Sequence, residues 1–276
     1  MRHDVGRRIS AVLGVVAAVL AVAGCNLDLS SGAEAKDQWQ RQYKLSRGGT
    51  LDLRNTNGVV RFEVTDEDGI DVRAERVVRA NTDQAAKEAL AAFEIRESAS
   101  SDRVTIDSTT TGSGLTFNLQ RRVEFHVRVP RWTNMKIETT NGDIEVTGGR
   151  VTGTVHVSTT NGRIRAGGLE NTARASTTNG QIELEIAKLS EDGVACETTN
   201  GSIELAVPPD INAQLSARVT NGGIRTDGLT LVVAEQSRRR LDASIGRGGP
   251  AIKLETTNGA IDVRASAGTP STSTSK

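Results

Sequence analysis

The chain has 276 residues with 34 Lys and Arg against 34 Asp and Glu, a formal charge of zero at pH 7. That balance gives no basic excess for nucleic acid and no electrostatic steering toward an anionic lipid surface. Two cysteines exclude a disulfide-stapled scaffold, and the length suits one large domain or two small ones.

Residues 1–24 read as a targeting segment. Arg2, Arg7 and Arg8 form a basic start, and Ile9 to Ala23 is an apolar run of 15 residues. A helix needs about 20 residues to span a bilayer, so this run is a signal peptide and not an anchor helix. It ends in Val22-Ala23-Gly24-Cys25, which resembles a bacterial lipobox, so Cys25 is the expected lipid-attachment residue. Asn26 stands where an Asp would signal inner-membrane retention, which favours the outer membrane in a Gram-negative cell. Loss of residues 1–24 removes three Arg and one Asp and leaves 31 basic and 33 acidic residues, a charge near −2.

Residues 25–40, small and polar from Asn26 to Lys36, read as a tether, and 41–265 as the folded domain. Tyr43 to Val64 holds a first isolated unit around Asn57-Gly58, with Leu51, Leu53, Val60 and Phe62 facing inward. Ile70 to Val78 is a strand candidate. Asn81 with Gln84 resembles a capping box and opens a short helix near 82–93, whose apolar face is Ala86, Leu90 and Phe93. Val104 to Ile106, Leu115 to Leu119 and Val123 to Val129 are further strands.

A repeat follows. Seven segments end in Thr-Asn-Gly, at Asn57-Gly58, Asn141-Gly142, Asn161-Gly162, Asn179-Gly180, Asn200-Gly201, Asn221-Gly222 and Asn258-Gly259. From Asn141 to Asn221 the steps are 20, 18, 21 and 21 residues, the spacing of a stacked-repeat architecture with coils of about 20 residues. Apolar or small residues recur two, four and six positions before each Asn and three and five after it, so strands of period two flank every turn. The step from Asn221 to Asn258 is 37, which reads as two periods with one turn lost and Ser237 to Arg240 in a loop. Residues 266–276 are rich in Ser, Thr, Gly and Pro and read as a disordered tail.

Two folds share this parity: a meander of Asn-Gly hairpins, and a parallel β-solenoid in which each Asn-Gly is a corner. A hairpin would set Arg54 against Arg61, Glu138 against Glu145, Glu197 against Glu204, Arg218 against Arg225 and Glu255 against Asp262. Like charges directly opposite destabilise a strand pair. Stacked consecutive coils instead give Glu145, Arg165, Glu183, Glu204, Arg225 in one column, with a single like pair. The charges therefore favour the all-β parallel solenoid, with stacked Asn side chains able to form an amide ladder.

The run Val123-Glu-Phe-His-Val-Arg-Val-Pro130, followed by Met135-Lys-Ile-Glu-Thr-Thr-Asn-Gly-Asp-Ile-Glu-Val146, resembles the bacterial putative-adhesin family, a domain of unknown function. So does Ile245-Gly-Arg-Gly-Gly-Pro-Ala-Ile-Lys-Leu-Glu-Thr-Thr-Asn-Gly-Ala-Ile-Asp-Val263. The resemblance covers about 43–263 and implies a right-handed β-solenoid on the cell envelope with a role in adhesion or envelope maintenance. It supplies no catalytic residue, cofactor or metal.

Chemistry is sparse. His126 and His156 alternate with apolar neighbours and should face solvent, without the spacing of a metal pair. No nucleophile elbow, phosphate loop or calcium-binding nonapeptide is present in the sequence. Cys196 falls in an inward column between Ala175 and Ala217 and reads as a buried, inert thiol. Trp39 and Trp132 are expected to cover solenoid ends. An outward Thr column runs through Thr140, Thr160 and Thr178, but the column beside it holds Glu138, Ser158, Ser176 and Glu197, which is unlike an ice-binding face. The expected protein is non-enzymatic: a lipid-anchored envelope surface for adhesion or scaffolding, with an envelope protein or polysaccharide as partner. Two alternatives are a carbohydrate-active solenoid using Asp143, Glu145 and Arg163 or Arg165, and an envelope-stress sensor.

Overall fold

The computed structural model describes residues 32–109 and 119–266. The N-terminal part holds β1 (Ala33–Tyr43), β2 (Thr50–Arg54), β3 (Val60–Thr65), β4 (Ile70–Ala80), α1 (Asp83–Ala91), β5 (Arg96–Ala99), β6 (Arg103–Asp107) and β7 (Gln120–Pro130). The repeat supplies strands in pairs around each corner: β8 (Asn134–Asn141) and β9 (Ile144–Gly148), β10 (Val155–Asn161) and β11 (Ile164–Leu169), β12 (Ala173–Asn179) and β13 (Ile182–Ile186), β14 (Val194–Asn200) and β15 (Ile203–Val207). β16 (Ala213–Asp227), β17 (Leu231–Gln236), β18 (Arg240–Ile245) and β19 (Ala251–Ala265) complete it, with β16 and β19 running straight through their corners.

All seven corner-bearing units pair in parallel. Before the corner the strand order is β6–β2–β8–β10–β12–β14–β19–β16, and after it β7–β3–β9–β11–β13–β15–β19–β16. Glu138 lies beside Arg54 and Ser158, not across from Glu145, so the hairpin meander is ruled out. The fold is all-β and solenoid-like. Inward columns such as Ile137, Val157, Ala175, Cys196, Leu254 and Ala217 are buried and form one continuous core between the two rows of strands.

The corner explains why Thr, Asn and Gly recur. Each Asn amide donates to the Asn carbonyl oxygen of its neighbour, from Asn221 through Asn258, Asn200, Asn179, Asn161 and Asn141 to Asn57, at 2.7–2.9 Å. Asn57 closes the ladder on the backbone carbonyl of Arg121. Glycine is required by close approach: a Cβ on Gly180 would stand 1.8 Å from the carbonyl oxygen of Gly162. The buried Thr two positions before Asn then satisfies a glycine carbonyl in the adjacent rung. Thr159 donates to Gly142, Thr177 to Gly162, Thr198 to Gly180 and Thr256 to Gly201, at 2.9–3.2 Å. In the first unit Asn55 holds the Thr position and donates to the carbonyls of Asn57, Gly58 and Val123. With Gly58 so engaged, the buried Thr139 hydroxyl is left without a partner.

Several expectations are corrected. β1 begins at Ala33 and pairs antiparallel with β4, so the segment read as tether to residue 40 is strand from that point. The N-cap of α1 is Thr82, whose side chain accepts from the Ala85 amide, and not Asn81; Gln84 bonds Glu88. Leu119 is in no strand, and the rest of 115–119 lies outside the described residues, as do Cys25 and 267–276. The step of 37 contains no lost coil. β17 and β18 form an antiparallel hairpin turning at Ser237 to Arg239, and β18 pairs antiparallel with β16.

The order of the last rungs also differs from the sequence order. β19 lies between β14/β15 and β16, so the corners stack as Asn57, Asn141, Asn161, Asn179, Asn200, Asn258, Asn221. Likewise β2/β3 lies inside β6/β7. The column four after Asn therefore runs Arg61, Glu145, Arg165, Glu183, Glu204, Asp262, Arg225, with three carboxylates in succession. Both ends close with antiparallel strands, β4 and β1 on β7, and β18 and β17 on β16. α1 packs Ala86 and Leu90 against the β1–β4 end.

β19 is paired on both sides and buries Ile252, Leu254, Ile261 and Val263. Hydrogen exchange should show β19 amides protected as strongly as those of β12, and β17, with Val232 and Val233 exposed, exchanging fast; equal fast exchange in β17 and β19 would contradict the inserted order. Thr177→Val should cost about 1 kcal/mol in chemical unfolding, whereas Thr139→Val should change stability by less than about 0.5 kcal/mol. Gly180→Ala should cost at least about 3 kcal/mol.

Candidate functional site

The row of strands before the corner exposes two adjacent outward columns. Five positions before Asn stand Lys136, His156, Arg174, Ala195 and Lys253, and three before stand Glu138, Ser158, Ser176, Glu197 and Glu255. Strand pairing sets the rungs about 4.8 Å apart, so each column is a fixed series of side chains. The short Ser158, Ser176 and Ala195 sit among longer neighbours and leave a depression of about 410 Å³.

Its ends are internally paired. Lys136 lies 2.9 Å from Glu138, and Glu255 lies 3.3 Å from Arg218. Its centre is not: among the described residues Arg174, Lys253 and Glu197 make no ion pair, and the side chains of His156, Ser158 and Ser176 make no hydrogen bond within the protein. Partial burial, followed by the positive charges of Arg174 and Lys136, holds the His156 imidazole below its usual pKa. That direction marks a locally positive field with water partly displaced.

The residues singled out as a carbohydrate-active cluster lie on the other row and are engaged elsewhere. Glu145 pairs with Arg61 at 3.2 Å, Arg165 pairs with Glu183 at 2.6 Å, and Asp143 accepts from the Arg163 backbone amide at 2.7 Å. The four therefore form no acid–base constellation. His126 and His156 sit on different strands, and no group of three metal-ligating side chains occurs among the described residues. Trp39 lies on the outermost strand β1 beneath Arg41, 4.9 Å from its guanidinium carbon, at one end of the stack. Trp132 lies in the side turn between β7 and β8, beside Asp66 and Asp68. The predicted corner residues form the ladder described above.

Cys196 is fully buried beneath the depression, and burial pushes its thiol up to about 12. In a Cys25→Ala variant, where Cys196 is the sole thiol, the folded protein should therefore leave Cys196 unmodified by a thiol-specific disulfide reagent at pH 8, with one equivalent released only on unfolding. Rapid labelling of that native variant would contradict the buried placement.

No curated protein matches this chain. Among solved structures it is similar to a putative cell adhesion protein from Clostridium sporogenes, with 13% identity over 84% of this chain and 100% of that one and a TM-score of 0.48. A putative adhesin from Bacteroides fragilis shares 14% identity over 84% of this chain and 98% of that one, with a TM-score of 0.30. A putative adhesin from Parabacteroides distasonis shares 12% over 83% and 97%, with a TM-score of 0.31. The family model for Toastrack DUF4097 matches residues 95–264, from β5 through every later corner into β19. The chain belongs to the Toastrack DUF4097 family.

Proposed function

We propose that this protein is a lipid-anchored component of the bacterial cell envelope that works by binding and not by catalysis. Cys25 carries the lipid, and a right-handed β-solenoid with coils of about 20 residues carries the binding surface. The observation behind the surface reading is the outward face at 136–255, where side chains from five rungs stand in fixed register around a depression. A stack that bonds through backbone and Asn at its corners, and through Thr at four of them, is a rigid scaffold, and rigid scaffolds lower the ordering cost of recognition. The observation behind the anchor is the order of elements at the N-terminus: basic start, short apolar run, small residues, then Cys25. Asn26 directs the product to the outer membrane in a Gram-negative cell.

A polysaccharide partner is the second reading, and the hydroxyl-lined, charge-flanked depression favours it over an apolar protein partner. The carbohydrate-active version has less support, because Asp143, Glu145 and Arg165 are committed to partners.

Metabolic labelling with a palmitate analogue should tag the wild-type chain and place it in the membrane fraction. Cys25→Ala should abolish the label and release the protein; label persisting in that variant, or absent from the wild type, refutes the anchor.

A further inference from the structure

We propose that the depression around His156, Ser158, Arg174 and Ser176 is a binding subsite for an acidic glycan, holding one carboxylate between neutral, hydroxyl-bearing sugars. The inference rests on the reading of this face as a binding surface and is independent of the lipid anchor.

Among the described residues many basic side chains near this stack are matched. Arg61 pairs with Glu145, Arg165 with Glu183, Arg218 with Glu255, Arg240 with Asp242, and Lys136 with Glu138. Arg174 is flanked in its column by His156 and Ala195, and neither can neutralise it. Its guanidinium, the His156 imidazole and the two serine hydroxyls offer donors that no protein acceptor takes up. They come from two neighbouring rungs, so an oxyanion at the centre is within reach of donors from both sides. A planar guanidinium matches a carboxylate with two parallel hydrogen bonds, and a partly desolvated site strengthens them.

The flanks define the rest of the ligand. Glu138 closes one end, and Glu197 and Glu255 the other. A polymer charged at every residue would set its anions against these carboxylates, which argues against nucleic acid and against a densely charged polyanion. Glu197 has no ion pair and can accept hydrogen bonds from sugar hydroxyls, and Lys253 beyond Ala195 can donate to them. From the Lys136 rung to the Lys253 rung the face spans four steps, about 19 Å, enough for a short oligosaccharide. No aromatic platform lines the depression, so binding depends on these polar contacts and not on stacking.

The test is calorimetric titration of the full chain in detergent with a hyaluronan hexasaccharide, in which carboxylates alternate with neutral sugars. Binding is expected, with affinity reduced at least about tenfold by Arg174→Gln. Arg238→Gln, in the distant β17–β18 turn, should leave affinity unchanged. The carboxyl-methylated hexasaccharide and hexagalacturonate, charged at every sugar, should both bind more weakly. The proposal is overturned if the methyl ester binds equally, if Arg174→Gln binds like wild type, or if no oligosaccharide binds. It is also overturned if phosphatidylglycerol vesicles bind in an Arg174-dependent way while the sugars do not, which would make the site a lipid-surface contact. Cleavage of the hexasaccharide, read by mass spectrometry, would refute the non-catalytic reading while leaving the subsite in place.

Discussion

The structure depends on how closely adjacent chains pass at the corner. From Gly142 onward each corner glycine lies so near a neighbouring rung's glycine carbonyl that any Cβ is excluded: it would stand only 1.7–2.1 Å from that oxygen. That closeness aligns the Asn amides for their ladder and brings the Thr hydroxyl within reach of the same carbonyl. The three residues are thus one device. Gly permits the approach, Thr satisfies the carbonyl the approach buries, and Asn ties the outer side. All amides in the ladder donate in one direction, toward Asn57, so their dipoles polarise one another cooperatively.

The same device identifies which rungs are terminal. Val219 replaces the buried Thr in the unit around Asn221, and that unit is the last parallel rung of the stack. Had β16 stacked directly on β14, Glu197 would meet Arg218 and Glu204 would meet Arg225, which are favourable pairs. The inserted β19 instead sets Glu197 beside Glu255 and Glu204 beside Asp262. Exposed pairs contribute only a few tenths of a kcal/mol to about 1 kcal/mol. β19 gives in return a Thr256 hydroxyl for the Gly201 carbonyl and four fully buried aliphatic side chains, each worth about 1.5–3 kcal/mol. Burial outweighs charge, and the C-terminal strand takes the inner place. The described stack is complete only when β19 enters between β14/β15 and β16, a non-local pairing of the kind that slows folding.

Much of this is legible in the sequence. Period-two columns around Asn-Gly mark the strands, and like charges across a hypothetical hairpin exclude the meander. Rung order is not legible from periodicity, because every unit presents the same columns and any order of stacking keeps them in register. The Val219 substitution is the one available signal. β1 escapes a sequence reading because Ala33 to Tyr43 alternates among mostly polar residues, as an edge strand does. The groove escapes it for a related reason. Taken alone, His156 is a lone histidine; its meaning comes from the column five positions before Asn, which sets it between Lys136 and Arg174.

The contrast between the two outward faces bears on function. After the corner, Arg61, Glu145, Arg165 and Glu183 alternate across four rungs and neutralise one another, as a solvated structural face would, before Glu204 and Asp262 break the alternation. Before the corner, His156 and Ala195 stand where cross-rung partners for Arg174 would be, with Ser158 and Ser176 in the column beside them. A glutamate at position 195 would give Arg174 the same cross-rung pairing that Arg165 has with Glu183. A parallel stack offers such matches between rungs, so an unmatched guanidinium among small hydroxyls is an exception to the alternation seen from Arg61 to Glu183. Exceptions of that sort belong to recognition, where the missing partner is supplied by the ligand.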